Sequence, residues 1–256
     1  MFSSVLNHAK YLLNLSTNSS ICKFLDRTSF DIEVMSKCKN MISSEYPTIS
    51  AIYRVKNGAA TIEASILSVA PICREIVVID NKSTDNTIDI VKRLKVQLGD
   101  VCDIKLFHFN DKVHVAGSEY LNDIHHSEGV TLAKFYSTAF SYGSSNYLMK
   151  VDAHCIFTFS GLERIIGKLK ERPRFIIFRG VEIFGKKLSY EAYIFKNDDL
   201  FYYEDSPQYE LLKFKYKITF FEKLKCTIFT PVFIHLKRLI FLKVDVTNNP
   251  AKELYK

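Results

Sequence analysis

Residues 47–94 read PTISAIYRVKNGAATIEASILSVAPICREIVVIDNKSTDNTIDIVKRL, and their hydrophobic rhythm decides the fold class. The apolar run at 48–53 predicts a buried strand, cut off from what precedes it by Pro47. Asn57-Gly58 supplies a turn. Residues 60–69 place Ile62, Ile66, Leu67 and Val69 at helical spacing, and Pro71 closes that helix. Glu75–Asp80 is a continuous, mostly β-branched run, the pattern of a strand covered on both faces of a parallel sheet. Ser83, Thr84 and Asp85 offer N-caps for a helix over 86–98.

Working outward, 103–109 predicts a third strand. The alternation of strand and helix predicts right-handed βαβ units in a doubly wound α/β sheet. Residues 110–128 are polar and read as a long loop. A helix follows over 129–142, then a strand over Tyr147–Val151 that ends at Asp152. Residues 160–171 read as a helix, and Phe175–Phe178, 181–184 and 190–195 as strands. Residues 1–46 are Ser- and Asn-rich and read as an N-terminal extension with a helical patch at 5–15.

The chain of 256 residues, 47% hydrophobic and 25% charged, suffices for one sizeable α/β core and excludes disorder over most of its length. The net charge is +7. Between 213 and 243 eight basic residues face a single acid, Glu222, which is either a solvated basic face or a surface for phosphate or membrane. Nucleic-acid binding would rest on charge alone, without a recognised module, and is not expected. The six cysteines are widely and irregularly spaced, which argues against a zinc site or disulfide framework and for free thiols in a reducing, cytoplasmic setting. No secretory signal or membrane span is expected. Peripheral membrane contact through the basic C-terminal third stays open.

Ligands of open α/β sheets bind beyond the carboxyl ends of the strands. Three polar clusters stand at such ends: 54–57, 80–85 and 152–154. Asp80 there is either an acceptor for a base or ribose, or part of a turn. Asp152 and His154, two residues apart on extended chain, suit a divalent ion such as Mn²⁺. His235 and Lys237 are a late imidazole and ammonium that read either as ligands or as a basic surface strand. His108, His114, His125 and His126 fit no metal spacing and read as ordinary loop residues.

Residues 47–94, with Asn57, Ser68, Asp80, Asn81, Ser83, Thr84, Asp85 and Thr87 in order, resemble the opening half of family 2 glycosyltransferases. LAKFYSTAFSYGSSNYLMKVDAH, residues 132–154, resembles the helix and strand leading to that family's Asp-x-Asp metal motif. The resemblance covers roughly residues 47–160 and implies a GT-A fold: a Rossmann-like, mixed, mostly parallel sheet flanked by helices. It divides the chain into the extension, 1–46, and a glycosyltransferase domain, 47–256. The domain has a nucleotide-sugar half at 47–160 and an acceptor-side half with a basic tail at 161–256. It further implies hexosyl transfer, inverting, from a nucleotide-diphosphate donor, a UDP-sugar, to a hydroxyl of a glycan, lipid or protein.

By the same resemblance Tyr53, Arg54, Asn57, Asp80, Asp85, Lys150, Asp152 and Lys237 would bind the donor. Asp152, His154 and His235 would hold Mn²⁺ or Mg²⁺. His154 departs from the usual Asp, as in polypeptide N-acetylgalactosaminyltransferases. The family's general base is usually the Asp of a Glu-Asp pair, which selects Asp205 after Glu204, with Asp198 and Asp199 as rivals. A non-catalytic nucleotide-sugar module keeps the same motifs. A nucleotidyltransferase would need a glycine-rich phosphate loop after the first strand, and YRVKNGAAT has a single glycine.

Overall fold

The computed structural model of the chain describes residues 46–182 and 185–237. The expected extension, with its patch at 5–15, and Phe184 at the end of an expected strand lie outside the described residues. The first half alternates as the sequence predicts: β1 (Ile49–Val55), α1 (Ile62–Val69), β2 (Glu75–Asp80), α2 (Thr87–Gln97) and β3 (Asp103–His108). Next come α3 (Tyr120–His126), α4 (Leu132–Ser141), β4 (Tyr147–Val151), β5 (Cys155–Phe157) and α5 (Phe159–Leu169). The second half is mainly strand: β6 (Phe175–Phe178), β7 (Gly180–Glu182), β8 (Glu191–Lys196), β9 (Phe201–Asp205) and β10 (Glu210–Phe214). A short helix, α6 (Phe220–Lys225), and β11 (Phe233–His235) complete it.

Six strands form the central sheet in the order β3-β2-β1-β4-β8-β6. The first four run parallel, and β8 lies antiparallel between β4 and β6. This is the mixed, mostly parallel sheet expected of a GT-A fold. Every residue of β2 is buried, as its unbroken apolar run requires of a strand covered on both faces. One apolar cluster, with Ile66, Val91 and Ile166, packs under α1, α2 and α5. A second, with Phe135, Phe140 and Phe195, lies under α4 on the other face. The order reverses where the chain leaves β3 and returns beside β1 as β4, which places a topological switch point between β1 and β4.

Two sequence expectations change. The loop at 110–128 contains α3, and the helix expected from 129 begins at Leu132, capped by Thr131, whose side chain accepts from the Lys134 amide. Helix α2 is capped as expected by Asp85, whose Oδ1 accepts from the Thr87 amide, while Asn86 makes no side-chain cap bond. Beyond the central sheet, β5-β11-β7 form a three-stranded sheet and β9-β10 a hairpin. Of these, β7 overlaps the strand expected at 181–184, and β9, β10 and β11 come from the aromatic stretch after 200, whose pattern alone is ambiguous between strand and loop.

Candidate active site

The site grows from the register of β1 on β4. Tyr53 stands opposite Val151, so the next residue of each strand, Arg54 and Asp152, meet beyond it. Arg54 Nη2 donates to Asp152 Oδ1 at 2.8 Å. Alternation along β1 turns Arg54 toward α4, where its guanidinium lies 3.9 Å from the centre of the Tyr136 ring. The Arg54 side chain is 3% exposed, and its Nη1 is buried without a hydrogen-bond partner. Burial works against ionisation of Asp152, but Arg54, then Lys150, then the two neighbouring histidines hold its carboxyl down at about 2.

The small second sheet supplies the histidines. In β11, His235 pairs in antiparallel register with Cys155, the residue after His154, and the Leu236 amide donates to the His154 carbonyl at 2.8 Å. The two imidazoles cross edge to face with centroids 4.4 Å apart. His235 Nδ1 is buried and unpartnered. Burial, then His154, pushes the His235 pKa down to about 4, and burial likewise lowers that of His154. Both shifts favour the neutral imidazole near neutral pH. Among the described residues, one group of metal-ligating atoms converges within 4.8 Å: His154, Cys155 and His235. Two neutral imidazoles with an orphaned ring nitrogen fit a divalent ion. Asp152, expected as a third ligand, is not in that group, and its Oδ1 is paired with Arg54.

A cavity of about 300 Å³ opens beside these groups, and its wall includes Arg54, Asn57, Asp152, His154 and Lys237. Gly58 forms part of the wall, where a Cβ would stand 2.6 Å from Val55 Cγ2. Asp80 closes β2 nearby. It is buried, accepts from the Ser83 amide through Oδ2, and leaves Oδ1 buried and unpartnered.

The other expected site residues are placed differently. Tyr53 does not lie along the crevice: it is fully buried against α1, its hydroxyl 3.0 Å from Ser65 Oγ, because alternation turns it away from Arg54. Asp85 does not line the cavity. Its two oxygens accept from the Ala59 amide and from Thr87, tying the loop after β2 to the one after β1. Asn57, at φ 56°, lines the wall but spends its Oδ1 on the Thr84 amide. Asp205 is a helix cap rather than a free base: its Oδ1 accepts from the Tyr120 hydroxyl and the Ala133 amide in the first turn of α4.

Lys150 is engaged within the protein. Its Nζ is 3.1 Å from Glu191 Oε2 and 3.9 Å from Glu210 Oε1, on the Tyr136 side of Asp152. Glu210, 9% exposed, stands opposite Asp205 in the β9–β10 register. Sequence reading missed both Glu210 and Tyr136. Glu210 sits in no motif and Tyr136 carries no assigned role within 132–154; only the packing of the hairpin and α4 over the strand ends brings them to the ion pair.

A family model described as glycosyl transferase family 2 matches residues 50–244. The chain belongs to that family. No curated protein matches this family 2 chain in sequence. Similar solved structures include S. aureus TarS, residues 1–349, at 13% identity and a TM-score of 0.49, covering 80% of this chain and 68% of that one. A mannosyltransferase, PcManGT from Pyrobaculum calidifontis, solved with GDP-Man and Mn²⁺, is 18% identical with a TM-score of 0.38, covering 60% and 44%. Glucosyl-3-phosphoglycerate synthase from Mycobacterium tuberculosis, solved with Mn²⁺, UDP and phosphoglyceric acid, is 17% identical with a TM-score of 0.36, covering 58% and 47%. The family 2 chain thus spans less than half the length of the latter two proteins.

Proposed function

We propose that this chain transfers a hexosyl group from a nucleotide-diphosphate donor, a UDP-sugar, to a hydroxyl of a glycan, lipid or protein acceptor, with inversion. One observation carries the reading. In a family 2 chain, the orphaned Asp80 oxygen, the Arg54–Asp152 pair and the facing His154 and His235 rings gather at the carboxyl ends of neighbouring strands. The Asp80 Oδ1 accepts from the base or ribose. Arg54 and Lys237 place fixed positive charge by the diphosphate. His154, His235 and Asp152 would hold Mn²⁺ or Mg²⁺. When bound, such an ion neutralises charge on the departing diphosphate. Glu210 takes the role first given to Asp205 and removes the acceptor proton, with Lys150 Nζ 3.9 Å from its Oε1.

Calorimetry with UDP, with and without Mn²⁺, and donor hydrolysis test the reading. Asp152→Asn is expected to lose the Mn²⁺-dependent part of UDP binding. Glu210→Gln should bind UDP normally and hydrolyse UDP-sugar about 100-fold more slowly. Hydrolysis by Asp152→Asn at the wild-type rate would remove the crevice from the reaction. The Arg54 cation already seated on Asp152 favours a second reading, a nucleotide-sugar-binding module without catalysis. That reading requires UDP binding indifferent to Mn²⁺ and no hydrolysis of any UDP-sugar.

A further inference from the structure

Helix α6, FFEKLK, contributes no buried residue to the protein. It forms nonetheless because Thr219 caps it, its hydroxyl accepting from the Glu222 amide at 3.2 Å. At 100° per residue, Phe220, Phe221 and Leu224 share one face, and Glu222 lies on the opposite one. The apolar face points to solvent: Phe220 is 73% exposed, Phe221 79% and Leu224 48%. The two phenyl rings lie against each other, with centroids 5.8 Å apart. Glu222, the sole acid between 213 and 243, is half-buried, 4.0 Å from Arg174 Nη1. Lys223 and Lys225 flank the apolar face on its two sides.

The strand leading into the helix adds to the charge. From 213 to 217 the chain alternates: Phe214 and Tyr216 pack on the core, and Lys213, Lys215 and Lys217 face out. Lys213 stands 3.9 Å from Glu204, and Lys225 3.9 Å from Glu171. Among the described residues, Lys215, Lys217 and Lys223 have no ion-pair partner.

We propose that α6 is an interfacial anchor that seats this face of the protein on an anionic lipid bilayer. Phe220, Phe221 and Leu224 enter the headgroup boundary, and Lys215, Lys217 and Lys223 meet the lipid phosphates. An aromatic face flanked by lysines is the form of a helix lying in a membrane interface. The charge selects the occupant. A second copy of the chain would bring lysine against lysine, whereas a negatively charged leaflet complements every unpaired cation on the face. The surface shares no residue with the crevice, so the inference stands apart from the proposed reaction.

Flotation of the full chain with phosphatidylcholine vesicles, with and without phosphatidylserine, tests it. The wild type is expected to float with the anionic vesicles and to be released by salt. The double variant Phe220→Ser, Phe221→Ser should lower that partition at least about tenfold. Lys217→Glu with Lys223→Glu should erase the preference for phosphatidylserine. All four side chains are exposed, so circular dichroism and UDP binding should match the wild type. Three results would overturn the proposal: no flotation of the wild type, flotation of the phenylalanine variant at the wild-type level, or lipid-independent self-association that this variant abolishes.

Discussion

Arg54 and Asp152 meet because two neighbouring parallel strands end in step, and the pair is the electrostatic centre of the site. A buried guanidinium without its counter-charge is costly. Asp152→Asn should therefore lower the unfolding free energy by about 2–3 kcal/mol, read from urea denaturation. Glu75, at the far end of β2, is a charged residue with a purely structural setting. Burial works to raise its carboxyl pKa. Lys105 at 2.6 Å, Ser50 and Ser144 outweigh burial and hold it below the usual range. Its contribution is therefore fully present above the unfolded glutamate value of about 4.3 and is lost as pH falls through the lower folded value. Glu75→Gln should cost about 2 kcal/mol at neutral pH, and the gap to wild type should close on acidification below roughly pH 4. A gap independent of pH would show that packing, not charge, is what Glu75 supplies.

At the scale of elements, the hairpin β9–β10 does two things with two facing carboxylates. Asp205 docks the hairpin on the first turn of α4, and Glu210 reaches toward Lys150. Asp205→Ala should thus destabilise the fold by about 1.5–3 kcal/mol, the worth of hydrogen bonds to a charged group. Once corrected for the folded fraction, its donor hydrolysis should stay near wild type, the opposite of Glu210→Gln. The loop between β1 and α1 is held just as closely. A methyl at Gly58 would collide with Val55 and press on Ala153, so Gly58→Ala should cost about 1–3 kcal/mol and weaken UDP binding together with stability. The hairpin's docking was hidden in the sequence because Glu204 and Asp205 look alike as loop acids. Only strand pairing and the position of α4 distinguish a cap from a reactive group.

At the scale of the whole molecule, a ligand that binds the folded crevice and not the unfolded chain must stabilise everything at once. UDP with Mn²⁺ at about 100 times its dissociation constant should raise the melting temperature by roughly 5–10 °C, and either component alone by less. Among the described residues no helix is long and apolar enough to cross a membrane, so the lipid contact proposed for α6 is one of surface, not of insertion. The amino-acid order alone was enough for the parallel strands, their helices and the family. Those features depend on local periodicity and on motifs of a few neighbouring residues, which survive being read one letter at a time. Which way each side chain points was decided elsewhere. Tyr53 goes to the core and Arg54 to the site because the strand pleats. His235 reaches His154 because β11 pairs with β5, and Phe220 and Phe221 stay outside because none of the described residues comes to cover them. Contacts between distant stretches are made only when the chain closes on itself, and no short window of sequence contains them.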